Sequence, residues 1–238
     1  MSSFQGFPPE AFTFYAGLEK DNSKAYWEAN KAVWENKAHK PMQEFLEALE
    51  EEFPPLRLFR PNRDVRFSKD KSPYKLWIGA TSESRGVGGV GFYVRLDSSG
   101  LKTACGAYVM ARDQLERFRA AIDHDLYGTQ FEEMTHRLAA LSLPVTPGGE
   151  APLKMVPPGY AKNHPRADFL RWKGAVIVKD FDGIQEWLHT SEVVEKVKAV
   201  WHGAEPLKEW LDIHMGPSQE SSERFSPRSR KVASASQS

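Results

Sequence analysis

The sequence of 238 residues contains a single cysteine, Cys105, which excludes an internal disulfide framework and any zinc site that needs two or more thiolates. It has no excess of either charge: Lys and Arg together number 32, as do Asp and Glu, so the formal net charge is zero. A whole-molecule attraction to nucleic acid or to an anionic membrane surface is therefore excluded, and charge-driven binding must be local. No run approaches the roughly 18 apolar residues of a membrane span. The N-terminus lacks a basic region followed by an apolar stretch, so no secretory signal is visible and the sequence reads as soluble and cytoplasmic. The seven histidines (39, 124, 136, 164, 189, 202, 214) form no HxH or HxxxH pair, and no metal site is expected. Internal repeats are absent. A composition of 40% hydrophobic and 27% charged residues suits a globular domain that buries a core without staples.

Pro8 and Pro9 suit the first turn of a helix, and Phe12, Tyr15 and Leu18 continue it at helical spacing to about residue 20. Asp21, Asn22 and Ser23 stop it and cap a second helix, whose stripe of Tyr26, Asn30, Val33, Trp34 and Lys37 is flanked by Trp27. Pro41 is expected to kink or divide that pattern before Phe45, Leu46 and Leu49. Short strands are expected at 56–59 and 76–80, and a hairpin over 92–109 turns at Asp97-Ser98-Ser99-Gly100. Helices near 112–122 and 128–141 follow, then a Pro/Gly-rich stretch over 143–165 and a short buried strand at 176–178. From about 182 to 215 the pattern is helical, broken at Gly203 and Pro206. The fold class is α+β, a small, mostly antiparallel sheet flanked by N-terminal and C-terminal helices. One domain covers 3–215, and the Ser/Arg-rich residues 216–238 form a disordered tail.

The segment 57–75 concentrates charge. It holds seven Arg and Lys (57, 60, 63, 66, 69, 71, 75) against Asp64 and Asp70, a net of +5. Planar guanidinium donors, lysine point charges and the hydroxyls of Ser68, Ser72 and Tyr74 together suit a phosphate or carboxylate. Asp64 and Asp70 could orient the arginines or act as acid and base. The bland alternative is a solvated loop paired with the acidic helix end (Glu44, Glu47, Glu50, Glu51, Glu52), where ion pairs contribute little.

The run from Asp64 to Lys75 (DVRFSKDKSPYK) resembles the signature of the family catalogued as domain of unknown function 2461. The resemblance extends to Asn22 with Tyr26 and Trp27, to Gly91-Phe92-Tyr93-Val94, to Pro157-Pro158-Gly159-Tyr160 with His164-Pro165, and to Leu170-Arg171-Trp172-Lys173. With Pro206-Leu207 and Trp210-Leu211 it covers about residues 4–212. It implies an α+β domain of this length, leaves the substrate open and carries no catalytic residue over.

A second basic segment, with Lys154, Lys162, Arg166, Arg171 and Lys173 against Asp168, has a net of +4 and holds His164, the best general-base candidate. The expectation is that the two basic loops form one electropositive pocket floored by Tyr74, Tyr93 and Tyr160. It would bind a small anionic, phosphorylated ligand through Arg63, Arg66, Ser68, Lys69, Lys71, Tyr74, Lys75, Tyr93, Tyr160, Arg171 and Lys173. If the protein is an enzyme, phosphoester or acyl chemistry is the natural class, with Asp64, Asp70, Tyr74 and His164 as candidate catalytic groups. No cofactor is identified. Two alternatives remain. In one, a binding module contacts nucleic-acid phosphates and stacks its tyrosines on bases; in the other, an interaction domain uses Arg–Asp pairs only to fix the loop. The glycines of 86–91 lack the GK[ST] ending of a phosphate loop, and Cys105 and the Trp27–Trp34 stripe read as packing.

Overall fold

The computed structural model describes residues 4–66, 68–82 and 88–220. Helix α1 (Pro9–Lys20) begins at the prolines, which fit a first turn that needs no amide donors, and buries Ala11, Phe12, Phe14, Tyr15 and Leu18. In α2 (Lys24–Val33) the Ser23 hydroxyl accepts the Tyr26 amide at 3.1 Å. The helix passes into a π-helical stretch, Trp34–His39, and then into α3 (Lys40–Glu50). Pro41 was expected to kink or divide this helix. It lies in the first turn of α3, directly after the wider π turn, and the α-helical pattern is divided there into α2, the π stretch and α3.

The strands are β1 (Arg57–Leu58), β2 (Trp77–Thr81), β3 (Gly91–Asp97), β4 (Gly100–Ala107), β5 (Val145–Thr146) and β6 (Ala175–Asp182). They form a six-stranded sheet in the order β1-β2-β3-β4-β6-β5, in which β1–β2, β2–β3 and β5–β6 pair antiparallel. The fold is α+β, as the patterning implies. The expected hairpin is β3–β4; its turn is tightened by Asp97, whose carboxylate accepts the Ser99 amide at 2.9 Å and hydroxyl at 2.5 Å. Strand β6 outruns the expected 176–178, and Val178 is exposed.

Helices α4 (Arg112–Asp123) and α5 (Asp125–Ala140) precede β5; a single turn, α6 (Ala167–Leu170), precedes β6; and α7 (Glu192–His214) closes the order. The expected break at Gly203 and Pro206 does not occur. Val197 and Trp201 are buried before it and Ala204, Leu207 and Leu211 after it, and this burial outweighs the roughly 3 kcal/mol penalty of an interior proline.

The described residues divide into two compact units, each discontinuous in sequence: residues 4–66, 68–82, 92–104 and 179–202 form the first, and residues 88–91, 105–178 and 203–220 the second. The first has an aromatic core. Phe4, Phe7 and Phe45 meet with centroids 5.1–5.2 Å apart, and Phe53, Phe92 and Trp201 form a second cluster. The indole N–H of buried Trp201 donates to the Thr103 hydroxyl at 2.6 Å, which donates to the Tyr93 carbonyl at 2.8 Å. In the second unit Phe118, Phe131 and Trp210 pack together, and Gly106 (φ 133°) brings its backbone against Ala175, where a Cβ would stand 2.3 Å from the carbonyl oxygen.

Candidate functional site

In the first unit, the segment linking β1 to β2 closes on itself. The amide of Arg63 donates to the Pro73 carbonyl and that of Lys75 to the Pro61 carbonyl, both at 2.8 Å, around an antiparallel bridge between Asn62 and Tyr74. Neither proline is asked for a donor it lacks. Asn22 fastens this closure to the start of α2: its Nδ2 donates to the Tyr74 carbonyl at 3.0 Å, and its Oδ1 accepts the Tyr74 amide at 3.1 Å. The Tyr74 ring is buried and stacks on Trp27, with centroids 4.2 Å apart and planes 10° from parallel.

Residues 64–66 and 68–72 stand at the tip, where the charge is partly neutralised from within. The Asp64 carboxylate accepts Nε of Arg66 at 2.9 Å, Nη2 at 2.6 Å and the Arg66 amide at 3.2 Å. The Arg66 hydrogen bonds hold its carboxyl down at about 2. Asp70 accepts the hydroxyl and amide of Ser72 at 2.6 and 2.9 Å and pairs with Arg63; these bonds, led by the Ser72 hydroxyl, hold it well below the usual carboxylate range. Both aspartates thus pair with arginines of their own loop. The lysines are held differently. Lys71 donates to the Val65 carbonyl at 2.9 Å, and Lys75 donates to the carbonyls of Arg60 at 2.5 Å and Asn62 at 2.7 Å. Burial first, and the nearby Arg60 charge second, push the Lys75 ammonium below its ordinary value.

The acidic end of α3 has other partners: Glu50 accepts the Leu56 amide at 2.5 Å, and Glu52 pairs with Lys198 and with His202. Tyr74, a candidate proton-transfer group, belongs to the packing, and burial raises its pKa. Tyr93 lies on β3, half-buried, beside Phe59 and Trp77. Phe67 of the twelve-residue run, Gly86 and Val87 of the glycine cluster, and the tail from residue 221 lie outside the described residues.

The other expected members belong to the second unit. His164 is nearly buried and has both ring nitrogens engaged: Nδ1 accepts the Arg166 amide at 3.0 Å and Nε2 faces Asp123 at 3.3 Å. Arg166, 7% exposed, donates from Nε to the Ile122 carbonyl at 2.7 Å and from Nη2 to the Asp123 carbonyl at 3.2 Å, so its charge serves the C-terminus of α4. Gly128 makes room for it, since a Cβ there would stand 2.3 Å from Arg166 Nε. Arg171 pairs with Asp168, and its Nε is buried without a hydrogen-bond partner among the described residues. Lys173 pairs with Glu150 at 3.0 Å, and burial raises the pKa of Tyr160. Arg166 and Arg171 line a cleft of about 480 Å³ with Glu132, His136, Asp168 and Trp172, in which both signs of charge are present.

The structure therefore brings Arg63, Arg66, Ser68, Lys69, Lys71, Tyr74 and Lys75 together in one loop of the first unit, whereas Tyr160, His164, Arg171 and Lys173 belong to the second. Among the described residues no cluster of His, Cys, Asp and Glu is placed to hold a metal, and no helix is long and apolar enough to cross a membrane. Cys105 is buried, which pushes its thiol up to about 12 and leaves it unreactive.

The family model described as conserved hypothetical protein (DUF2461) matches residues 10–210. The chain belongs to this family. No curated protein matches it, and no solved structure does. The matched span of the DUF2461 chain contains the Asn22 clamp, the self-closed loop and the second basic segment.

Sequence reasoning did not single out Phe59 or Trp77, which stand beside Tyr93, or Arg95, whose guanidinium stands over the Trp77 ring. Their signal was parity: in the DUF2461 chain Trp77 alternates with the apolar Ile78 and Ala80, as Tyr93 and Arg95 do with Phe92, Val94 and Leu96.

Proposed function

We propose that the loop of residues 60–75 is an anion-binding element that takes a phosphorylated ligand, and that its role is binding rather than proton transfer. One observation carries this reading. Lys71 and Lys75 are anchored by backbone carbonyls, which fix the ammonium groups without cancelling their charge. With Lys69 they make three cations that have no carboxylate partner among the described residues, against two aspartates that pair with Arg63 and Arg66. Preorganised cations lower the cost of ordering side chains on binding. The held anionic state of Asp64 and Asp70 argues against either as a general acid, and the engaged nitrogens of His164 supply no free base.

The test is a thermal-shift screen of the full chain against inorganic phosphate, pyrophosphate, nucleotides and sugar phosphates, with Lys71→Gln and Lys75→Gln as loop variants. A ligand at a hundred times its dissociation constant adds about 2.7 kcal/mol, a visible rise in midpoint. A rise that disappears in folded loop variants supports the reading. Silence for every phosphate would overturn it and leave the second reading, a loop that only maintains the fold, which the Arg–Asp pairs and the Asn22 clamp favour.

A further inference from the structure

We infer that the outward face of β1, β2 and β3 is a docking surface for single-stranded nucleic acid, with the 60–75 loop gripping the phosphates at its edge. This rests on the anion-binding reading above and names the ligand class.

The register defines the face. Trp77 pairs with Asp97, Gly79 with Arg95 and Thr81 with Tyr93, while Arg57 pairs with Thr81 and the Phe59 amide donates to the Gly79 carbonyl. Because side chains alternate along a strand, Arg57, Phe59, Trp77, Tyr93 and Arg95 share one face. The opposite face carries Ile78, Ala80, Phe92, Val94 and Leu96, all buried. An ordinary outward face of a half-buried sheet is polar. This one instead holds three half-buried rings whose centroids are 5.5 Å (Phe59–Trp77), 6.3 Å (Phe59–Tyr93) and 6.4 Å (Trp77–Tyr93) apart.

Cations stand directly over the rings. The Arg57 guanidinium is 5.3 Å from the Phe59 centroid, and Arg95 and Lys75 Nζ are 5.7 and 5.8 Å from the Trp77 centroid. Lys75 joins the two features, since the same ammonium is anchored by the loop carbonyls. Counting the loop and the face together, eight cations (Arg57, Arg60, Arg63, Arg66, Lys69, Lys71, Lys75, Arg95) stand against Asp64, Asp70 and Asp97, a local +5 on a chain with no net charge.

Charge complementarity decides the occupant. A small phosphate uses the cations and leaves the rings idle, and an apolar peptide does the reverse. A single strand presents phosphates and unstacked bases side by side, and aromatic platforms flanked by cations are the common physical solution to holding it. A duplex keeps its bases stacked inward and cannot use the rings.

The experiment is fluorescence anisotropy of labelled 12-mer oligo(dT) and oligo(U) titrated with the full chain. A 12-bp duplex and a 12-residue polyglutamate peptide serve as competitors, and inorganic pyrophosphate binding is measured in parallel by calorimetry. The expected result is single-strand binding whose log affinity falls with log salt at a slope of about −2 for three phosphate contacts. Trp77→Leu or Phe59→Leu should weaken it roughly tenfold, Trp77→Phe should restore most of the loss, and pyrophosphate affinity should be unchanged in all three. Two replacements guard against one variant failing to fold, and each is checked by its melting midpoint. Pyrophosphate binding without oligonucleotide binding would refute the inference and leave the anion-binding loop standing; absence of both would refute both. Equal competition by duplex or polyglutamate would show attraction by charge alone and would also overturn it.

Discussion

Replacing Asn22 by Ala tests how the basic loop is held. Two hydrogen bonds, at 3.0 and 3.1 Å, run between this side chain and the backbone of Tyr74, 52 residues away. Alanine removes both and leaves an amide and a carbonyl of a residue whose side chain stays packed on Trp27. A typical bond contributes about 0.5–1.5 kcal/mol net, and a buried group left unpaired costs about 1–3 kcal/mol, so the pair together predicts a loss of about 2–3 kcal/mol. For a chain of this size that corresponds to a fall of about 4–12 °C in melting midpoint. Urea denaturation is the assay. The midpoint should fall at unchanged slope, and exchange of the Tyr74 amide hydrogen should accelerate more than that of the core amides. Asn22→Asp keeps the acceptor for the Tyr74 amide but faces the carbonyl with a carboxylate, and should recover less than half of the loss. A loss below about 0.5 kcal/mol in Asn22→Ala, with Tyr74 exchange unchanged, would refute the clamp.

Thr103→Val should cost about 1–3 kcal/mol in urea denaturation, because it leaves the buried Trp201 indole N–H without its acceptor; a neutral result would contradict the relay. Gly106→Ala should destabilise by about 3 kcal/mol or more, since φ is 133° and a Cβ would meet the Ala175 carbonyl oxygen at 2.3 Å; a stable variant would deny that approach. The Asp64 carboxyl, followed by carbon NMR, should titrate near pH 2, and Arg66→Ala should return the midpoint toward the ordinary aspartate value. Its folded pKa lies below its unfolded one, so the stabilisation is present above about pH 4 and lost as pH falls through about 2; equal midpoints in both proteins would contradict the pairing. Cys105 should not react with a thiol reagent at pH 8 until denaturant is added, and prompt native-state reaction would contradict its burial.

Local patterning carried most of the architecture. The turn Asp97-Ser98-Ser99-Gly100 and the alternation around it placed the β3–β4 hairpin, and the proline pair at 8–9 placed the start of α1. The reading failed where burial overrode propensity. Gly203 and Pro206 look like a helix stop, yet the apolar residues on either side hold α7 continuous. At the candidate site the basic loop was legible as charge concentration, but its internal order was not. Whether Lys75 meets a carboxylate or two carbonyls depends on the bridge between Asn62 and Tyr74, which no local pattern encodes. His164 and Arg166 show the converse. Composition placed both in a basic segment, whereas Arg166 completes the end of α4 and His164 is fixed between Asp123 and the Arg166 amide.

The measurement that tests the central claim most directly is an amide proton–nitrogen correlation map of the full chain during titration with inorganic pyrophosphate. Saturable shifts should concentrate on residues 60–75, led by the amides of Arg63, Ser72 and Lys75, and should vanish in a folded Lys71→Gln/Lys75→Gln variant. Shifts confined to residues 152–173, or no saturable shifts at all, would contradict the assignment of anion binding to the loop.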